Sequence, residues 1–176
     1  SNSVLDIDHC TFGNNSDDWG IYLDGSIAPA NHSVEFSNSI LWGTTLGISN
    51  SSATYSFSNY SESLWSGDGN ISEDPLFIDS TSENPNYNLQ YGSPCIDTGD
   101  PDFDNDLLDL GPGDLDPDGT QMDMGAFWFN RDNHIFGCTD PIGSNFNPDA
   151  DFDDGCGNEE TGTCCEYESN YALSFD

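Results

Sequence analysis

The sequence predicts an all-β chain whose first half is wound as stacked coils of a parallel β-helix and whose second half is dominated by loops. Three observations predict it. No segment keeps an apolar i, i+3, i+4, i+7 rhythm for three turns, because Gly, Asn, Ser, Asp and Pro interrupt throughout. Short runs of alternating apolar residues recur at intervals of about 20 to 30 residues, the length of one solenoid coil. Beyond residue 80 the alternation gives way to Asp, Gly and Pro.

The first repeat is LDIDHCTFGN, where Leu5 and Ile7 alternate before Cys10 and Phe12. The second is VEFSNSILWGT, where Val34 and Phe36 precede Ile40 and Trp42. The third is TYSFSNY, where Tyr55 and Phe57 precede Tyr60. Each strand is followed by small polar residues and Asn, which suit the corners between strands. A β-sandwich also alternates strands and turns, but nothing in this stretch reads as a tight two-residue hairpin.

Composition bounds the rest. The 176 residues carry 33 Asp or Glu against one basic side chain, Arg131, for a formal net charge of −32. A nucleic-acid partner is excluded, since phosphates require Lys and Arg, and anionic membrane surfaces would be repelled. Cations are the natural partners. The 34% hydrophobic and 12% aromatic content, with Trp19, Trp42, Trp65 and Trp128 spread along the chain, supports a packed core rather than disorder. No apolar run approaches a membrane span, and the N-terminus lacks a signal-peptide pattern, so the segment is expected to be internal to something longer.

Cys138, Cys156, Cys164 and Cys165 cluster near the end, which points to disulfides and an oxidising compartment. Zinc sites prefer short C-x₂₋₄-C pairs, which are absent apart from the vicinal pair. Cys10 and Cys95 stand alone in strand-like settings as small buried fillers, with a mutual disulfide as the alternative.

The segments GNISEDPLFIDS, NYNLQYGSPCIDTGDP and DPDGTQMDMGAF, between residues 69 and 127, occur in an order that resembles the C-terminal end of right-handed parallel β-helix proteins of bacterial surfaces. The resemblance implies extracellular placement and a solenoid closed by these segments; it implies no single activity. Residues 137–156, GCTDPIGSNFNPDADFDDGC, resemble a small Cys/Asp-rich module of secreted proteins whose usual ending is DDGSC, from which this chain departs after Asp154. The last residues, ESNYALSFD, resemble the first strand of a laminin-G-like jelly roll. The implied organisation is β-helix coils over 1–79, a C-terminal cap with Asp-rich loops over 80–130, a disulfide-bonded module over 131–168, and the first strand of a following domain over 169–176.

Nine carboxylates lie between Asp100 and Asp123 with no basic residue among them. Two unit charges about 4 Å apart repel by about 4 kcal/mol at an effective dielectric near 20, so a compact loop needs an outside counter-charge. Asp114, Asp116 and Asp118 followed by Gly119 have the spacing of the first half of an EF-hand loop. Its bidentate Glu is replaced by Gly125, and Asp123, five residues after Asp118, would supply the ligand. Asp100, Asp102 and Asp104 followed by Asp109 repeat the interval. Asp149, Asp151 and Asp153 with Glu160 form a looser third set, to which Asp140, Asn145 and Asn147 would add oxygens. Flexible, oxygen-rich sets of this kind favour Ca²⁺ over Mg²⁺ and over transition metals.

His9, His32 and His134 are scattered without a nucleophile beside them and read as structural. Asn14, Asn31, Asn50, Asn59 and Asn70 begin N-x-S sequons, which read here as turn and stacking residues. Trp19, Trp65 and Tyr91 could stack on sugars but read first as core. The expectation is therefore a non-enzymatic, calcium-stabilised structural or adhesive segment of a large secreted or cell-surface bacterial protein. Its partners would be neighbouring domains of the same chain, cell-surface glycans or further copies of itself, with no nucleic acid and no membrane insertion. The competing expectation is a glycan-binding module, or the non-catalytic end of a polysaccharide-degrading β-helix enzyme.

Overall fold

The computed structural model describes residues 3–15, 20–24, 32–61, 65–104, 111, 113–153 and 164–167. Trp19, Asn31, Asp109, Cys156, Glu160 and the 169–176 segment lie outside them. The chain divides into two compact units, Ser1–Phe129 and Asn130–Asp176. The fold is all-β, with a single short 3-10 turn at Arg131–Asn133 among the described residues. No helix among them is long and apolar enough to cross a membrane.

In the first unit the chain circulates through three parallel sheets. β1 (Ser3–Asp8), β4 (His32–Ser37) and β7 (Ser51–Ser56) form the first; β2 (Thr11–Gly13), β5 (Ile40–Trp42) and β8 (Asn59–Tyr60) the second; β3 (Ile21–Asp24) and β6 (Leu46–Ser49) the third. Ser3 pairs with His32 and His32 with Ser51, so successive circuits are 29 and 19 residues long. Register follows the apolar pattern: Leu5 lies on Val34 and Ala53, and Ile7 on Phe36 and Tyr55. A one-residue slip would turn this whole set outward, which fixes the pairing. The column packs with Leu41, Tyr60 and Trp65, and Phe36 stacks on Tyr55 with ring centroids 5.3 Å apart.

The corners repeat as closely as the strands. His9, Asn38 and Phe57 all adopt φ near +46°, so the corner demands a left-handed residue in each circuit. Phe57, which the sequence pattern places in a strand, sits at this corner. The next residue continues a ladder: Ser39 and Ser58 donate their hydroxyls to the Ser37 and Ser56 carbonyls, and the Cys10 thiol donates to the Asp8 carbonyl. Crosswise, the Cys10 N–H donates to Ser39 Oγ, the Ser39 N–H to Ser58 Oγ, and the Ser58 N–H to Asn70 Oδ1.

Cys10 thus occupies a serine position. Both Cys10 and Cys95 are free thiols, not a disulfide. Burial and the neighbouring Asp8 raise the Cys10 pKa, so the group stays a protonated, weak donor. Cys10→Ser is expected to leave Tm within about 2 °C of wild type, because a hydroxyl can donate to the Asp8 carbonyl as Ser39 and Ser58 donate to the Ser37 and Ser56 carbonyls. Equilibrium melting of the two proteins checks this.

Ile71 bridges Asn59 in parallel and adds a rung to the second sheet, and the chain over residues 77–124 supplies a layer on that sheet's outer face. Leu41 points into the circulating core, whereas Ile40 points outward and is buried with Phe77, Leu89, Cys95 and Met124. β5 is consequently buried on both faces, which alternation alone does not encode. β9 (Phe77–Asp79) and β10 (Asn86–Leu89) form an antiparallel pair in this second layer, where the Tyr87 hydroxyl donates to the Gly13 carbonyl. Gly125, at φ +97°, passes over β2 and β5 where a Cβ would lie 2.7 Å from Thr11 Oγ1 and 2.8 Å from Ile40 Cδ1.

The second unit is loop-rich. Phe136 bridges Phe152, Cys138 bridges Phe146, and a disulfide joins Cys138 to Cys165. Cys164 is disulfide-bonded as well. Asn145 ties the cysteine pair to its loop, donating to the Cys164 carbonyl and accepting from the Glu166 N–H.

Candidate functional site

The residue between Asp8 and the acidic loops is Asn38, which is fully buried. Its Nδ2 donates to Asp8 Oδ1, its Oδ1 accepts the Asp100 N–H, and its carbonyl accepts the Gly125 N–H. The parallel sheets therefore deliver the acidic loops to a fixed place. Gly99 N–H donates to the Met122 carbonyl, closing the base of the loop region.

Within it, each aspartate of the Asp114–Asp123 set has a backbone partner. Asp114 is fully buried, with Oδ1 accepting from the Asp104 N–H and Oδ2 from the Gly111 N–H. Asp123 is 3% exposed, with Oδ1 accepting from the Asp97 N–H and Oδ2 from the Phe129 N–H. Asp116 Oδ2 accepts from the Asp123 N–H. Asp118 Oδ1 accepts from both the N–H and the hydroxyl of Thr120, while its Oδ2 is buried without a hydrogen-bond partner among the described residues.

The segment Asp116-Pro117-Asp118-Gly119 is a tight turn. The Gly119 N–H donates to the Asp116 carbonyl, the Asp116 N–H donates to the Thr120 carbonyl, and Leu115 bridges Gln121 antiparallel. Gly119 has φ +85°, the left-handed residue that closes a type I turn into a hairpin. The signal for this turn is present in the sequence as Pro-Asp-Gly.

Electrostatically the region is strained by its own charge. Burial pushes the Asp123 carboxyl up to about 7, with Asp116 and Asp97 adding to the rise and two backbone N–H bonds opposing it. Burial also raises Asp116, helped by Asp118 and opposed chiefly by the Asp123 N–H. His9 is the nearby imidazole: it lowers the Asp116 pKa, lies 2.7 Å from Asp8 Oδ2, and packs edge-on against Phe103.

Of the other predicted ligands among the described residues, Asp100, Asp151 and Asp153 accept hydrogen bonds of their own. Asp100 Oδ1 accepts the Asp102 N–H, a local turn bond, and Asp102 and Asp104 are partly to well exposed. In the second unit Asp151 Oδ2 accepts the Ile135 N–H, Asp153 Oδ2 accepts the Thr139 hydroxyl, and Asp149 is exposed. Asp140 takes the Ile142 N–H and the Tyr167 hydroxyl. Among the described residues no three His, Cys, Asp or Glu side chains gather as ligands around one point. Trp65 packs on Tyr55 and Tyr60, and Tyr91 lies against Phe129. Burial raises Cys95 to about 11, and Asn59 donates to its sulfur.

Sequence reasoning missed Asn38 as a structural centre, whereas it reads Asn59 as a turn or stacking residue. Asn59, fully buried, donates to the Glu73 carbonyl and accepts the Glu73 N–H. The chain matches no protein-family model, no curated protein and no solved structure.

Proposed function

We propose that this chain is a calcium-stabilised structural or adhesive segment of a large secreted or cell-surface protein, made of the last coils of a parallel β-helix and a layer of acidic loops held against them. Its work is to stay rigid and to connect neighbouring domains of the same chain, with cell-surface glycans or further copies as partners. It performs no catalysis.

The observation that carries this reading is the placement of Asp116, Asp118 and Asp123 in one partly desolvated hairpin region of a chain with net charge −32 and one basic side chain. Such a loop gains stability from any cation that enters it. The donor set suits a hard ion: every side-chain donor is a carboxylate oxygen, and Asp118 Oδ2 is buried without a hydrogen-bond partner among the described residues. Asp116 and Asp118 would hold the ion. Asp114 and Asp123 support the loop through their backbone bonds. Bound Ca²⁺ would supply the positive charge that the loop lacks.

The test is calorimetric titration of the metal-free chain with Ca²⁺, followed by melting with and without EDTA. Wild type is expected to bind and to gain at least about 2 kcal/mol at a hundredfold excess over Kd. Asp116→Ala and Asp118→Ala are expected to lose most of the heat. A wild-type chain that gives no heat and melts identically in EDTA overturns the calcium reading.

A further inference from the structure

The first circuit is built to receive another one. β1, β2 and β3 are each the outer strand of their sheet among the described residues. Leu5 occupies the inward column of Val34 and Ala53, yet it is 55% exposed where Val34 is 1% exposed. The difference is positional: Val34 is covered by a strand on both sides and Leu5 on one. Val4 and Tyr22, at 55% and 54%, extend this apolar edge.

The hydrogen-bond ladder ends at the same place. At each inner corner a carbonyl and the side chain two residues later accept from the circuit before: Ser37 O accepts the His9 N–H and Ser39 Oγ the Cys10 N–H, and Ser56 O accepts the Asn38 N–H and Ser58 Oγ the Ser39 N–H. The Asp8 carbonyl and Cys10 Sγ are the same two acceptors one rung further out, already linked to each other as their counterparts are.

We infer that this edge docks a further strand–corner–strand circuit of the same polypeptide, running parallel to β1 and β2, with an apolar residue over Leu5, another over Ile7, and two corner N–H groups on the Asp8 carbonyl and Cys10 Sγ. The inference rests on the stacked-coil part of the proposed function and is independent of calcium. A second copy of the chain fits less well. Edge-to-edge pairing of two molecules would bring together Asp6, Asp8 and two bodies of charge −32.

The test fuses a copy of residues 32–50, one full circuit, ahead of Ser1. Docking predicts a Tm rise of at least about 5 °C, and slowed amide exchange at Val4–Asp8 and in the added strand. Leu5→Lys in the fusion is expected to remove both effects, while Leu5→Lys in the unextended chain changes its Tm little. An added circuit that exchanges freely with no rise in Tm overturns the inference. So does concentration-dependent dimerisation of the unextended chain with β1 protected, which would make a second copy the occupant. Loss of Ca²⁺ binding with docking intact, or the reverse, separates this inference from the metal reading.

Discussion

At about pH 4, where its carboxyl carries no ionisation penalty, Asp123→Ala is expected to cost about 2–5 kcal/mol of unfolding free energy, the cost of leaving two buried backbone N–H groups without acceptors. Those groups belong to Asp97 and Phe129, so the single carboxylate ties the middle of the second layer to the end of the first unit. Asp97 has φ +55°, a conformation that Asp123 helps to hold. Denaturant unfolding of wild type and variant measures the loss.

The same residue predicts a pH dependence of unusual sign for an aspartate. Its folded pKa, about 7, is above the ordinary 3.8, because burial outweighs the two N–H bonds. Below about pH 4 the carboxyl is protonated in both states and the group costs nothing. Between about 4 and 7 the unfolded chain ionises while the folded chain resists, so this group's contribution falls as pH rises through that window, by up to about 4 kcal/mol. Asp123→Asn does not titrate. The stability difference between wild type and Asp123→Asn should therefore drift against wild type from pH 4 to 7. On the proposed calcium reading, saturating Ca²⁺ held by Asp116 and Asp118 should flatten the drift by favouring the ionised form. A difference that rises with pH without calcium would show the carboxylate ionised in the fold.

The all-β class was legible because periodicity encodes it: Leu5 and Ile7 fall on Val34 and Phe36 as their alternation implies, and the recurrence of about 20 to 30 residues matches circuits of 29 and 19. Alternation carries this information because a strand has one inward face per circuit. It fails at Ile40, which is outward in β5 and still buried, since only a second layer supplied from residues 77–124 makes that face a core. It fails again at Phe57, where the corner takes a residue whose side chain looks like strand.

The acidic region was legible as acidic and not as a geometry. An Asp at every second position describes an ion loop and a Pro-Asp-Gly hairpin equally well, because both need oxygen acceptors around a sharp bend. The hairpin is fixed by bonds the spacing does not show: Asp114 and Asp123 accept from N–H groups ten and twenty-six residues away. Such long-range pairs leave no mark in local spacing. The disulfide of Cys138 was legible as a cluster and not as a pairing, because the two vicinal cysteines are equivalent in spacing and only the fold places Cys165 against Cys138.

Asn38→Ala is expected to be as damaging as the loss of Asp123, and a short series separates its causes. Asn38 satisfies three demands at once: a left-handed backbone at φ +46°, an acceptor for the Asp100 N–H, and a donor to the Asp8 carboxylate. Alanine fails all three, at about 1 kcal/mol for the backbone and about 1–3 kcal/mol for the orphaned N–H. Glycine restores the backbone alone, so Asn38→Gly should recover roughly the first of these. Aspartate keeps the backbone tolerance and the acceptor but replaces an N–H donor with a second carboxylate beside Asp8. Asn38→Asp should therefore be most stable at low pH and lose stability as pH rises and the introduced carboxyl becomes charged beside Asp8, whereas the alanine variant keeps a nearly constant deficit. Equal deficits for Ala, Gly and Asp at every pH would mean that the residue only fills space. The predicted order, Gly above Ala with Asp crossing both as pH changes, would place the corner and the acidic layer in one cooperative unit, joined by this side chain.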